Sequence, residues 1–247
     1  MTPSNHLEQT FAVVPAAGSG VRMGLNHPKQ FHLLHGKPIL AWTLERLLAL
    51  PFVHGIVAVV PENAVGFVAA LASSLGAGAS VTVVAGGARR QDSVRAGLRA
   101  LPDTCQWVVI HDGVRPMASP ELFYRTYEAA RQSGAAICAC LAQDTVKMAD
   151  SGWVQATVPR DRVWLVQTPQ VFRRDLLERA FHLAQAFEWN ATDDASLVER
   201  LGVRVAVVEG EKFNIKITTP EDLLWASWYL EHSPKDTAPL GRQKERP

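Results

Sequence analysis

Short apolar runs alternate along the chain with longer stretches whose apolar residues recur at helical spacing. Phe11–Ala16, Gly55–Val60, Ser80–Ala85, Trp107–His111, Ala135–Cys140 and Val203–Val208 are rich in Val, Ile and Ala and mostly lack polar alternation, which predicts strands covered on both faces. Ile39–Leu50, Ala64–Leu75, Arg90–Leu101 and Pro120–Ser133 predict the helices between them. Strand–helix alternation at this rhythm predicts an α/β fold with a doubly wound, mostly parallel sheet. Ligands of such sheets bind beyond the carboxyl ends of the strands.

The rhythm breaks between Leu141 and Thr168. Asp144–Ala149 and Trp153–Val158 predict two strands around an Asp150-Ser151-Gly152 turn, and Val163–Gln167 predicts a further short strand. This reads as a β arm, at about residues 141–168, inserted into a single domain spanning residues 1–232. Helices resume at Arg174–Phe187, Asp194–Leu201 and Glu221–Leu230. The polar, proline-bearing stretch 233–247 predicts a disordered tail.

Composition narrows the function classes. The 247 residues are 47% apolar and 20% charged with a net charge of +1, so no global field points to nucleic acid or an anionic membrane. Any anion site must be a local concentration of Arg and Lys. Cys105, Cys138 and Cys140 are too few for a disulfide framework, and Cys138-x-Cys140 lacks the second pair of a zinc site. No apolar run approaches membrane-spanning length and no signal region opens the chain, so a cytoplasmic protein is expected.

The first candidate for chemistry is the small-residue loop Pro15-Ala16-Ala17-Gly18-Ser19-Gly20-Val21-Arg22-Met23, directly after the first strand, with Pro28-Lys29-Gln30 downstream. Without bulky side chains its N–H groups can approach a phosphate chain, which Arg22 and Lys29 would meet with full charges. A Walker A loop would end Gly-Lys-Ser/Thr, which is absent. The Gly18-x-Gly20-x-x-x-Gly24 spacing departs from the dinucleotide fingerprint, and the nearest downstream acid, Glu45, lies in a predicted helix. A nucleoside-triphosphate loop remains, beside the simpler reading of a ligand-free glycine turn.

Further polar clusters fall at predicted strand ends. Gly86-Gly87 through Asp92-Ser93 offers a close backbone approach and a hydroxyl, or else a plain helix start. His111-Asp112-Gly113-Val114-Arg115-Pro116 offers a carboxylate that helps hold Mg²⁺, or else an Asp–Arg pair that shapes the turn. His111 reads as a packed, hydrogen-bonded histidine. In Asn214-Ile215-Lys216, Lys216 sits in a predicted apolar strand and needs an anionic partner or a route to solvent. Thr219, Pro220 and Glu221-Asp222 satisfy helix-start preferences.

Together with Asp144-Thr145-Val146-Lys147, Gln167-Thr168-Pro169-Gln170 and Thr192-Asp193-Asp194-Ala195-Ser196, these motifs resemble the 2-C-methyl-D-erythritol 4-phosphate cytidylyltransferases over about Ala12 to Leu230. The resemblance implies a Rossmann-like nucleotidyltransferase fold with a protruding β arm, a homodimer clasped through that arm, and transfer of CMP from CTP to methylerythritol phosphate with Mg²⁺ present. It puts Arg22, Lys29 and Lys216 around the triphosphate. Ala16, Ala17, Gly18, Gly20, Gly87 and Ser93 fall in the nucleotide pocket with Asp112 beside it. Arg115, Thr145, Arg160, Thr168 and Thr192 fall around the sugar phosphate, with Arg160 helping to orient the attacking phosphate. The sequence departs at Ala88, where relatives often carry an acid, and at Gly113, where alanine is more frequent. A ribitol 5-phosphate cytidylyltransferase is the nearest alternative, and a non-catalytic nucleotide-binding subunit the more distant one. Metal ligands stay open.

Overall fold

The structure, a computed structural model, describes residues 9–18 and 28–232. Its centre is a seven-stranded sheet. The parallel members are β1 (Gln9–Pro15), β4 (Val53–Val60), β5 (Val81–Ala85), β6 (Cys105–Ile110), β7 (Ala135–Leu141) and β11 (Ala206–Glu209). The seventh, β10 (Trp164–Arg173), runs antiparallel between β6 and β7. The order β11-β7-β10-β6-β1-β4-β5 makes the chain wind one way from β1 to β5 and the other way from β6 onward. The carboxyl ends of β1 and β6 therefore flank the switch point, where this architecture opens a ligand crevice.

Burial explains why the strands read as unbroken apolar runs. Within β1, Ala12 and Val14 join one core layer while Val13 joins the other. The first layer packs under α1 (Ile39–Leu48), α2 (Val65–Ser74) and α4 (Pro120–Ser133) through residues such as Leu44, Val68 and Phe123. The second packs under α3 (Arg90–Arg99), α5 (Arg174–Ala186) and α6 (Ala195–Glu199) through Val94, Phe181 and Leu197. The fit is closest at Gly97 of α3, where a Cβ would lie 2.4 Å from Val13 Cγ1.

Helix ends follow local chemistry. The Ser119 hydroxyl accepts from Leu122 N–H, Pro120 fills the first turn, and Gly134 closes α4 at φ +84°. At α7 (Pro220–His232), Thr219 Oγ1 accepts from the Asp222 N–H while the Asp222 carboxylate accepts from Thr218 and Thr219 N–H, a reciprocal cap.

The inserted hairpin lies where the sequence places it. Strands β8 (Val146–Asp150) and β9 (Trp153–Val158) form a separate two-stranded sheet, turned at Ser151 and Gly152 with φ +50° and +84°.

Three expectations need correction. The short strand expected at Val163–Gln167 continues through Thr168-Pro169 to Arg173. A local irregularity sets Gln167, Thr168 and Pro169 opposite Cys138 alone, so proline's missing N–H breaks no regular ladder. The strand expected at Val203–Val208 is Ala206–Glu209, because Gly202 at φ +76° still belongs to the preceding turn. Residues 214–218 form no strand. They are tied to the loop after β6 by Ile217 N–H to Val114 O. A small hairpin of β2 (Leu33–Leu34) and β3 (Lys37–Pro38) was not foreseen. The predicted tail at 233–247 lies outside the described residues.

Candidate active site

Two cavities open at the switch point. The first, of about 300 Å³, is walled by the loop after β1 (Ala16, Ala17, Gly18), by Lys29, and by the loop after β5 with Gly87 and Ser93. The two loops touch. A Cβ on Gly86 would sit 2.5 Å from Ala17 Cβ, which is why that position takes glycine. The Ser93 hydroxyl accepts from Gly87 N–H and donates back to the Arg89 carbonyl, stitching the second loop to the start of α3. Behind the first loop, buried Gln30 donates to the Ala16 carbonyl at 2.6 Å.

Asp112, at the end of β6, anchors a charged cluster. Its Oδ1 takes Arg90 Nε at 3.1 Å, and its Oδ2 takes Lys216 Nζ at 2.8 Å with Arg115 Nε at 3.6 Å. Arg90 also reaches Asp194 at 2.8 Å through Nη1. Burial by itself would raise the Asp112 pKa. Arg90, Lys216 and Arg115 outweigh it and hold the carboxyl well below the usual range. At Asp194 burial prevails over Arg90, and the carboxyl is pushed upward. Three cations around two carboxylates leave the cluster with excess positive charge. Lys216 thus has both things its position demanded, an anionic partner and a partly exposed side chain.

The second cavity, of about 400 Å³, includes Arg115, Thr168 and Thr192. Arg90, Asp112 and Lys216 line both cavities and form the wall between them. The β10 irregularity carries the Thr168 hydroxyl to the Asp112 N–H at 3.0 Å and to His111 Nδ1 at 3.1 Å. His111 Nε2 lies 3.0 Å from the Arg115 carbonyl. The Arg115 carbonyl can only accept, so Nε2 carries the proton of the neutral imidazole and Nδ1 accepts from the Thr168 hydroxyl. Burial lowers the His111 pKa to about 4, and the ring is neutral near pH 7. This is the packed, hydrogen-bonded histidine that the sequence suggested.

The structure gathers Ala16, Ala17, Gly18, Lys29, Gly87, Ser93, Asp112 and Lys216 at the first cavity, and Arg115, Thr168 and Thr192 at the second. Thr145 and Arg160 line neither. Both are exposed at the base of the arm, where Arg160 donates to the Gln143 carbonyl. Gly20 and Arg22 lie outside the described residues.

Gln30, Gln167 and Asn214 stand within the motifs quoted above and Arg90 opens a predicted helix, but the sequence assigns none of them a role. Gln167 clamps the Glu211 backbone from both its N–H and its carbonyl. Asn214 donates to the Thr168 carbonyl, and its own carbonyl receives Arg115 Nη1. A polar side chain flanking a glycine loop or a proline was the available signal.

Asp112 does not fit as a magnesium ligand in this arrangement, since both its oxygens already meet Arg and Lys. Among the described residues no group of three or more His, Cys, Asp or Glu side chains converges on one point.

A sequence model of the family described as 2-C-methyl-D-erythritol 4-phosphate cytidylyltransferase matches residues 10–232. The chain belongs to that family. The cytidylyltransferase of this name from Syntrophus aciditrophicus is 46% identical over 225 residues, covering 89% of this chain and 95% of the relative. The one from Geotalea uraniireducens is 47% identical over 223 residues, with 89% and 96% covered. Among solved structures, the 4-diphosphocytidyl-2C-methyl-D-erythritol synthase of Anaerococcus prevotii superposes with a TM-score of 0.81 at 34% identity. That match covers 91% of this chain and 99% of the other. The Francisella tularensis cytidylyltransferase gives 0.77 at 34% identity, with 90% and 99% covered. These cytidylyltransferases share the α/β architecture with its mostly parallel central sheet.

Proposed function

We propose that this protein transfers CMP from CTP to 2-C-methyl-D-erythritol 4-phosphate, giving 4-diphosphocytidyl-2-C-methyl-D-erythritol and pyrophosphate. The observation that carries the reading is the shared wall: Arg90 and Lys216, held together by Asp112, face both cavities, so two anions can meet across these two cations. CTP occupies the first cavity, with its phosphates toward Lys29 and Lys216 and toward Arg22. The sugar phosphate occupies the second, held by Arg115, Thr168 and Thr192.

An oxygen of the substrate phosphate attacks the α-phosphorus of CTP in line. A new P–O bond forms as the bond to the bridging oxygen of the β-phosphate breaks, and pyrophosphate carries away the electron pair. A phosphate monoester is largely dianionic near neutral pH, so no general base is needed. What the protein supplies is position and fixed positive charge where negative charge gathers. Lys29, Lys216 and Arg22 stabilise that charge, while Arg115 and Lys216 orient the incoming phosphate. Magnesium, as a companion of CTP, would be held by triphosphate oxygens and water.

Thr145 and Arg160 enter this scheme through a second copy of the chain. Each site is completed by the partner's arm, in a homodimer. The arm's unpartnered apolar surface supports this, with Met148 57%, Trp153 77% and Val154 63% exposed. We place the enzyme in the cytoplasm, with small-molecule substrates and neither a nucleic-acid nor a membrane partner. No helix among the described residues is long and apolar enough to cross a membrane.

The test is pyrophosphate release by purified protein with CTP, Mg²⁺ and methylerythritol phosphate, run beside ribitol 5-phosphate. Release with methylerythritol phosphate alone is expected. Release with ribitol 5-phosphate alone would keep the chemistry and overturn the substrate.

A further inference from the structure

The second cavity is polar except along one wall. Among the described residues that line it, Ile137 and Val166 are the only aliphatic side chains. Val166 pairs with Ala139 across β7 and β10, and Ile137 lies two residues from Ala139 on the same face of β7. Ile137 is 6% exposed and Val166 41%, so one forms a fixed base and the other a rim. Immediately beyond Val166 the β10 irregularity turns Thr168 toward His111 and Asp112, so the aliphatic patch stops where the hydrogen-bonding wall begins.

A linear polyol phosphate has little use for such a patch. Each of its carbons carries a hydroxyl or the phosphate ester, and a hydroxyl pressed against Ile and Val gives up water without gaining a partner. A polyol branched by a methyl group has one substituent that gains from contact with them. We propose that Ile137 and Val166 form the subsite for the C2 methyl branch, and that they set the preference of this chain for a branched over a linear polyol phosphate. The inference rests on the reading of the second cavity as the sugar-phosphate site.

The methyl group meets the same wall before and during phosphoryl attack. Its binding energy is therefore common to ground and transition states, and discrimination falls on KM rather than kcat. This separates the pair from Arg115, Lys216 and Lys29, whose loss lowers kcat.

The experiment compares kcat/KM for methylerythritol phosphate with that for erythritol 4-phosphate, which lacks only the methyl group. The wild-type protein is expected to favour the branched substrate about tenfold or more, carried by KM. Val166→Ser and Ile137→Ala are each expected to bring that ratio toward unity, with KM for the branched substrate rising more than KM for the linear one. Ile137 is buried, so Ile137→Ala is read only where circular dichroism shows a folded protein. Val166 lies at the surface, and Val166→Ser keeps the test open if Ile137→Ala fails to fold. Equal kcat/KM for the two substrates in the wild type would overturn the subsite. So would a wild-type preference left unchanged by Val166→Ser. Turnover of neither substrate by the wild type would instead remove the reading of the cavity itself, and this inference with it.

Discussion

His111 and Asp112 are neighbours in sequence, and burial disfavours the charge of both, yet they end in opposite states. The imidazole sheds its proton, with a pKa lowered to about 4, while the carboxyl keeps its charge because Arg90, Lys216 and Arg115 surround it. Between pH 6.5 and 4 the unfolded chain therefore binds a proton at His111 that the native chain refuses, so stability falls as pH falls through that window. The full difference is about 3 kcal/mol for His111. Asp112 adds to it only at lower pH, because its depressed carboxyl stabilises the fold above the ordinary carboxylate range and loses that contribution under acid. Urea unfolding from pH 7 down to 4 should show His111→Gln with a flatter dependence than the parent, and an equal slope would refute the assignment. At the first cavity, Lys29→Ala is expected to lower kcat by about 10²–10³ with unfolding behaviour unchanged. Near-parental turnover would remove Lys29 from the charge-stabilising role.

At the scale of elements, the tightest joint is α3 against β1 and β4. Gly97→Ala would push a methyl group into Val13 and Val59, and we expect a loss of about 1–3 kcal/mol, read as a lower urea midpoint with an unchanged slope. A midpoint equal to the parent's would show that the helix can move away. The elements flanking this joint were legible because strands buried on both faces and amphipathic helices each leave a periodic signal. The arm hairpin was legible from its turn residues. β10 was legible only up to Gln167, because a proline inside a strand imitates a turn until the neighbouring strand supplies the register that absorbs it. The sequence marks Lys216 as needing an anionic partner or a route to solvent. Which anion it meets was hidden, since Asp112 lies 104 positions earlier in the chain and only the sheet order brings the two together. Arg90 was obscured for the same reason: its partners Asp112 and Asp194 come from the loop after β6 and from the turn before α6.

For the whole molecule, the arm determines whether a site belongs to one chain or two. Lys29→Ala and Arg160→Ala damage opposite halves of the proposed composite site. Each protein alone should be nearly inactive. Mixing them in equal amounts, with time for subunits to exchange, should restore about a quarter of the parental activity, since half the dimers are mixed and each mixed dimer has one intact site. A mixture as inactive as its parts would mean that each arm serves its own chain.

The antiparallel course of β10 has one more consequence. The chain leaves the sheet from β7 and re-enters through β10 at the same end, the end where both cavities open. No crossover has to be re-threaded when the excursion between them changes length or sequence. The segment from Ala142 to Val163 is thus a natural graft point on the rim of the site. An exchange there would leave strand register and nucleotide pocket in place while altering what the acceptor meets at the entrance, so that acceptor range and nucleotide chemistry can evolve separately within one fold.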